Sequence, residues 1–200
     1  MKILTFVDLH GNIGSLRKIV ERGKKDDIDL VICAGDISVF GDKLNKLVEM
    51  CSKMKKPFLM IHGNHESEEE IDKACRPFET CVNIHRAGFS GPDFTVLGYG
   101  GGGFNKVDKG FEKAAKIFKK ILKQRQGHKI ILVTHAPPYN TAVDRIGKNP
   151  VGNKSIREFI VSAKPDLVIC GHLHENAGKK DKIGKTLVIN PGYKGKIIAL

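Results

Sequence analysis

Five short polar clusters each close an apolar run: Asp8-Leu9-His10 follows Ile3 to Val7, Gly35-Asp36 follows Ile28 to Cys33, and Gly63-Asn64-His65-Glu66 follows Phe58 to Ile61. Thr134-His135 follows Ile130 to Val133, and Gly171-His172-Leu173-His174 follows Leu167 to Cys170. Such runs read as buried strands. Strand ends on one sheet edge are neighbours in space, so the clusters would converge. Imidazole, carboxylate and carboxamide groups are costly to bury unpaired, and gathered from five remote segments they ask for metal ions, and for more than one.

The rest of the chain supports a layered α/β fold. Helix-like spacing covers Ile13 to Glu21, Lys43 to Lys53, Phe111 to Gln124 and Lys154 to Ala163, alternating with the strand-like runs. Further strands are predicted at Cys81 to His85, Phe94 to Leu97, Thr186 to Ile189 and Lys196 to Leu200, so two sheets are expected, with a turn near Gly88 to Pro92 between the halves. At 200 residues the expectation is a single domain over residues 1–200. No run approaches the roughly 20 apolar residues of a membrane span, and the expectation is a soluble cytoplasmic protein without a signal peptide.

Five cysteines, without CxxC spacing, do not form a disulfide framework. Cys33 and Cys170 read as packing residues. Cys75 and Cys81 would pair only in a thermophilic host, which the lysine enrichment hints at. Much of the net charge of +12 falls on Lys106 to Lys129, which reads as the solvated face of a helix rather than a nucleic-acid surface because its lysines lack the interleaved aromatics and arginines of a base-stacking surface. It should still draw in anions. The run Gly98 to Phe104 lacks the lysine and hydroxyl residue of a phosphate loop and reads as a connection whose backbone packs closely under the site.

Singly, DxH is weak evidence and Gly-Asp weaker still, since a strand ending in Gly-Asp is often simply a turn, whereas two histidines spaced as in Gly171 to His174 after a buried strand have few structural uses. In combination and order the clusters resemble the calcineurin-like metallophosphoesterases, whose motifs are DxH, GD, GNH followed by Asp or Glu, a lone His after a strand, and GHxH. The resemblance spans Asp8 to His174. It implies a four-layer α/β/β/α sandwich with two divalent transition-metal ions, Mn, Fe, Co, Ni or Zn, at the C-terminal ends of the central strands. Asp8, His10 and His174 would hold one ion and Asn64, His135 and His172 the other, with Asp36 bridging. His65 would be the general acid and Glu66 a residue behind the ligands.

That assignment is physically coherent. Two cations about 3.5–4 Å apart need a carboxylate between them, and the pair would polarise phosphoryl oxygens and generate a hydroxide for in-line attack. Histidine's ordinary pKa of about 6.5 suits an acid for the leaving oxygen. In the protein Ser/Thr phosphatases of this superfamily an aspartate three residues after the bridging one orients that histidine; here the position is Val39. The arginine that follows in those enzymes is also missing.

The resemblance therefore favours a phosphodiester or small phosphomonoester as substrate over a phosphoprotein. A nuclease, favoured by the charge, and a non-catalytic scaffold on the same fold are the alternatives. His62, His85 and His128 read as structural. Residues 136–153 should loop over the metals, with Tyr139 and Arg145 as candidate contacts to a base or sugar and to a phosphate. Asn153 and Ser155 are expected to cap the following helix.

Overall fold

Each central strand is apolar on both faces, and the two faces are buried against different partners. A computed structural model describes residues 1–200. Its first half runs β1 (Lys2–Phe6), α1 (Ile13–Gly23), β2 (Leu30–Cys33), α2 (Leu44–Ser52), β3 (Phe58–Met60), α3 (Glu68–Cys75), β4 (Cys81–Asn83). Then come β5 (Ala87–Ser90), β6 (Phe94–Tyr99), α4 (Lys109–Lys123), β7 (Lys129–Thr134), β8 (Arg145–Ile146), β9 (Asn149–Pro150) and α5 (Lys154–Ala163). The chain closes with β10 (Leu167–Ile169), a 3-10 turn at His174–Asn176, β11 (Lys180–Ile183), β12 (Thr186–Ile189) and β13 (Lys196–Ala199).

The first sheet has the order β13-β1-β2-β3-β4 and the second β11-β12-β10-β7-β6-β5. Strands β1 to β4 are mutually parallel, as are β6, β7, β10 and β12. Alternation along each strand then sorts the side chains. Leu4, Phe6, Val31, Cys33, Phe58 and Met60 pack with α1, α2 and α3, whereas Ile3, Val7, Leu30, Ile32, Leu59 and Ile61 meet Ile131, Val133, Leu167 and Ile169 between the sheets. Leu132, Val168 and Cys170 face α4 and α5. The result is the expected four-layer α/β/β/α sandwich. Each fully buried aliphatic contributes about 1.5–3 kcal/mol, so the inter-sheet layer alone fixes the face-to-face arrangement.

Several details differ from the sequence reading. The predicted strand at Lys196, although last in the chain, joins the first sheet, pairing antiparallel with β1. The changeover between sheets falls just after β4, and Gly88 lies inside β5, an edge strand paired antiparallel with β6 across a turn at Gly91. Helix α3 and the short β8–β9 hairpin and β11 were not anticipated. Helix α4 buries Phe111, Ala114 and Phe118 and leaves Ile117 exposed, with Lys113, Lys116, Lys119, Lys120 and Lys123 in solvent as expected of a solvated helix face. Asn153 caps α5, but Ser155 does not; its hydroxyl accepts from Asp108 N–H and donates to Glu112, joining the starts of α4 and α5. All five cysteines are free and buried, and burial pushes the Cys33, Cys51, Cys75, Cys81 and Cys170 thiols up, which leaves them inert. No helix is long and apolar enough to cross a membrane.

The glycine run packs as closely as expected. The Gly100 amide donates to His85 Nδ1 at 2.8 Å, the Gly101 amide donates to the His62 carbonyl at 3.0 Å, and a Cβ on Gly100 would lie 2.6 Å from the His62 ring. Accepting at Nδ1 fixes the neutral His85 tautomer. Burial, helped by the nearby His62 and Arg86, lowers its pKa to about 3. The unfolded chain therefore takes up a proton below pH 6.5 that the folded chain refuses, and stability present above that pH falls by about 1.4 kcal/mol per pH unit towards pH 3. In urea unfolding, His85→Gln should lose about 2 kcal/mol less than the parent between pH 7 and pH 5. An equal loss in both proteins would contradict the assignment.

Candidate metal centre

The polar clusters sit where β1, β2, β3, β7 and β10 end, on one edge of the sandwich. Each chain segment turns sharply there. Asp8, His10, Asp36 and His172 have φ of 53°, 47°, 50° and 70°. A side chain in that left-handed region costs about 1–2 kcal/mol, and four such residues in one place mark a site whose geometry is imposed by its surroundings. A Cβ on Gly63 would collide with the Asp36 carboxylate, so only glycine lets the third cluster close over the second.

The structure brings Asp8, His10, Asp36, Asn64, His65, His135, His172 and His174 together. His10 Nε2 and His174 Nε2 are 3.0 Å apart, and His174 Nε2 is 4.0 Å from Asp8 Oδ1. Asn64 Oδ1 lies 3.0 Å from His135 Nε2 and 2.9 Å from His172 Nδ1. Asp36 Oδ2 stands between the two sets, 3.8 Å from His10 Nε2 and 3.3 Å from His135 Nε2. Its other oxygen accepts the His65 amide at 2.9 Å. Donor atoms of Asp8, His10 and His174, of His10, Asp36 and His65, and of Asp8, Asp36 and His135 each fall within 4.8 Å of one another.

These atoms fit cations. His135 Nδ1 donates to the Ala34 carbonyl at 2.9 Å, which leaves the Nε2 lone pair facing two oxygen acceptors. Lone pairs converging at such distances repel unless a proton or a metal ion lies among them. Asp8 Oδ2 is buried with no hydrogen-bond partner, which a coordinated ion would supply. In the metal-free chain a proton on His135 Nε2 takes the cation's place. Burial pushes the Asp8 carboxyl up. Burial would raise Asp36 too, but the hydrogen bond and charge of His135 and the His65 amide hold it down to about 2. Burial opposes protonation of His135, yet Asp36 and Asp8 raise its pKa, whereas burial and the charge of His135 lower His172 to about 4.

Residues 1–176 match the model of the calcineurin-like phosphoesterases. The chain belongs to that family. Over 99% of its length it is 34% identical to the uncharacterized protein MJ1162 of Methanocaldococcus jannaschii, covering 91% of that protein. It is 27% identical over 79% of its length to the probable purple acid phosphatase 20 of Arabidopsis thaliana, of which the match spans 42%. Among solved structures, TT1561 of Thermus thermophilus superposes with a TM-score of 0.78 at 17% identity, covering 96% of this chain and 89% of that one. A dimetal phosphatase from Danio rerio gives 0.69 at 13% identity over 94% and 86%. An archaeal phosphodiesterase gives 0.56 at 17% identity over 96% and 84%. At these identities the structural likeness is one of fold.

In this calcineurin-like phosphoesterase Glu66 ties two clusters together. One carboxylate oxygen accepts the amides of Asp36 and Gly63 at 3.1 and 3.2 Å, and the other accepts the Ser38 amide and hydroxyl at 2.7 and 2.8 Å. His65 Nδ1, by contrast, is buried with no hydrogen-bond partner. With valine at position 39 no carboxylate meets it, and its ring is placed by packing, edge-on to His10 at 4.7 Å and against Phe40 at 4.4 Å between centroids. Of the two loop candidates, Arg145 is engaged within its own loop and Tyr139 with the first residue of α5. The Arg145 guanidinium donates to Thr141 O, Lys148 O and Asn140 Oδ1, and the Tyr139 ring lies beneath Lys154 Nζ at 5.1 Å. Sequence reasoning passed over Phe40 and Phe104. The Phe104 ring rests on His172 at 4.9 Å.

Proposed function

We propose that the protein is a dinuclear metal-dependent phosphoesterase that hydrolyses a phosphodiester or small phosphomonoester. The observation that carries this reading is the Asp36 carboxylate, one oxygen of which lies within 4 Å of histidines from two separate donor sets. Asp8, His10 and His174 would hold one ion and Asn64, His135 and His172 the other, with Asp36 shared. When bound, two such ions supply Lewis-acid polarisation of the phosphoryl group and an activated water at neutral pH.

The chain's own residues supply the remainder. Asp36 stays ionised through the working range and is kept from rotating by the His65 amide. His135 presents Nε2 because its other nitrogen is committed to Ala34. His65 donates a proton to the leaving oxygen. Its side chain is half-buried beside His10 and Asp36, within reach of a group bound there.

The test is a panel of monoesters, diesters, cyclic nucleotides and nucleic acids offered to protein loaded with Mn²⁺, Ni²⁺ or Zn²⁺. No turnover of any of them would overturn the reading, and activity confined to nucleic acids and steeply lost with salt would identify a nuclease. His65→Ala should slow an alkyl ester by about 100-fold or more, the range of general acid catalysis. A nitrophenyl ester, whose leaving group needs no proton, should lose far less. Equal losses would remove the acid role.

A further inference from the structure

Two large apolar side chains stand in solvent at the rim of the metal centre, and each leans on one of its histidines. Phe40 is 78% exposed against His65, and Phe104 is 61% exposed against His172. Neither belongs to the three buried apolar clusters of the sandwich. Phe40 is also held at φ 48°, a conformation that a bulky side chain adopts only under constraint from its neighbours. The constraint is visible: Ser38, two residues before it, is bonded through amide and hydroxyl to Glu66, and the Gly41 amide, just after it, donates to Ser38 Oγ. The ring is thus presented outward by the same carboxylate that organises the ligand loops.

Phe104 is presented by an independent device. The glycine run is pinned at its base by the Gly100 and Gly101 amides, and at its far end the Asn105 carbonyl accepts from Asn153 Nδ2 at 2.8 Å. Between these anchors the phenyl is the sole side chain larger than a hydrogen atom. A glycine tract fixed at both ends that carries one aromatic ring to the edge of a polar site is a mount for that ring.

From this geometry we infer that Phe40 and Phe104 are stacking platforms for a flat aromatic ring carried on the phosphoester, either the base of a nucleotide or an aryl group. One platform serves the His65 end of the centre and the other the His172 end. An exposed phenyl offers a π-face to any planar group, and stacking of one base on one aromatic ring corresponds to about 10- to 100-fold in binding. The inference rests on the phosphoesterase reading for its turnover arm but not for its binding arm.

The experiment measures kcat/KM of metal-loaded protein for a nucleoside ester, a nitrophenyl ester and an alkyl ester, alongside equilibrium dialysis of AMP and of inorganic phosphate. Phe40→Leu and Phe104→Leu keep apolar bulk and remove the π-face. The parent should bind AMP about tenfold or more tighter than phosphate, and the gap should close in the double variant. The aromatic-to-alkyl ratio of kcat/KM should fall with it, and the ester whose ratio falls further identifies base or aryl group as the ligand. An AMP preference absent from the parent, or undiminished in a double variant that melts and binds metal like the parent, would overturn the platforms. Should the parent turn over no ester at all, the phosphoesterase reading fails while the dialysis result still decides the platforms.

Discussion

Asp36→Asn should give a folded protein that retains no more than one ion per chain and loses on the order of 1,000-fold or more in phosphoester hydrolysis, the several kcal/mol that paired metals supply. The substitution conserves shape. The carboxamide oxygen can still accept the His65 amide that now bonds Asp36 Oδ1, so the second and third clusters stay together. What it removes is the negative charge between His10 and His135, held ionised down to about pH 2. Two divalent ions about 4 Å apart repel by about 4 kcal/mol per pair of unit charges at an effective dielectric of 20, and a neutral bridge cannot offset that. Metal content by atomic emission, a thermal melt and kcat on one preparation decide the matter. Two ions retained with turnover near the parent's would show that another group bridges.

Glu66→Ala is the substitution expected to cost the fold most. It strands the amides of Asp36, Ser38 and Gly63 and the Ser38 hydroxyl in a buried setting. A buried donor left without an acceptor costs about 1–3 kcal/mol, so metal-free protein should lose roughly 4 kcal/mol or more in urea unfolding. Metal affinity should fall by about 10- to 100-fold, as it does when the groups behind metal ligands are removed. Glu66→Gln, with one oxygen for the Ser38 pair, should fall between. A loss below about 1 kcal/mol in metal-free Glu66→Ala would mean that water replaces the carboxylate and that the loops are held by other contacts.

The sandwich and the convergence of the polar clusters were legible because both are written at short range. A strand buried on two faces has little choice but a continuous apolar run, and residues at the ends of parallel strands must share an edge. What escaped was written in polar or neutral residues. Helix α3, Glu-Glu-Glu-Ile-Asp-Lys-Ala-Cys, has too few apolar positions to show a period, although its capping box of Ser67 and Glu70 was present in the sequence. The edge strands β5 and β11 carry glycine and lysine where a central strand carries valine or isoleucine, and the pairing of β13 with β1 joins the two ends of the chain, a contact no local pattern encodes. Arg145 was singled out for its charge, but a charge does not reveal which carbonyls the loop folds around it. Phe40 and Phe104 were passed over because an exposed phenylalanine is unremarkable until its neighbours are known.

Asp8, His10, Asp36 and Asn64 hang from the first sheet, whereas His135, His172 and His174 hang from the second. Each sheet therefore holds only part of a donor set such as Asp8, His10 and His174 or Asp8, Asp36 and His135. An ion seated among them would join the two sheets at that edge, in addition to the apolar layer between them. Occupancy and sheet docking would then be linked: the stability of the assembled sandwich would climb with the logarithm of free metal, and a variant that loosens the layer holding Ile32 and Ile169 would bind the ions more weakly.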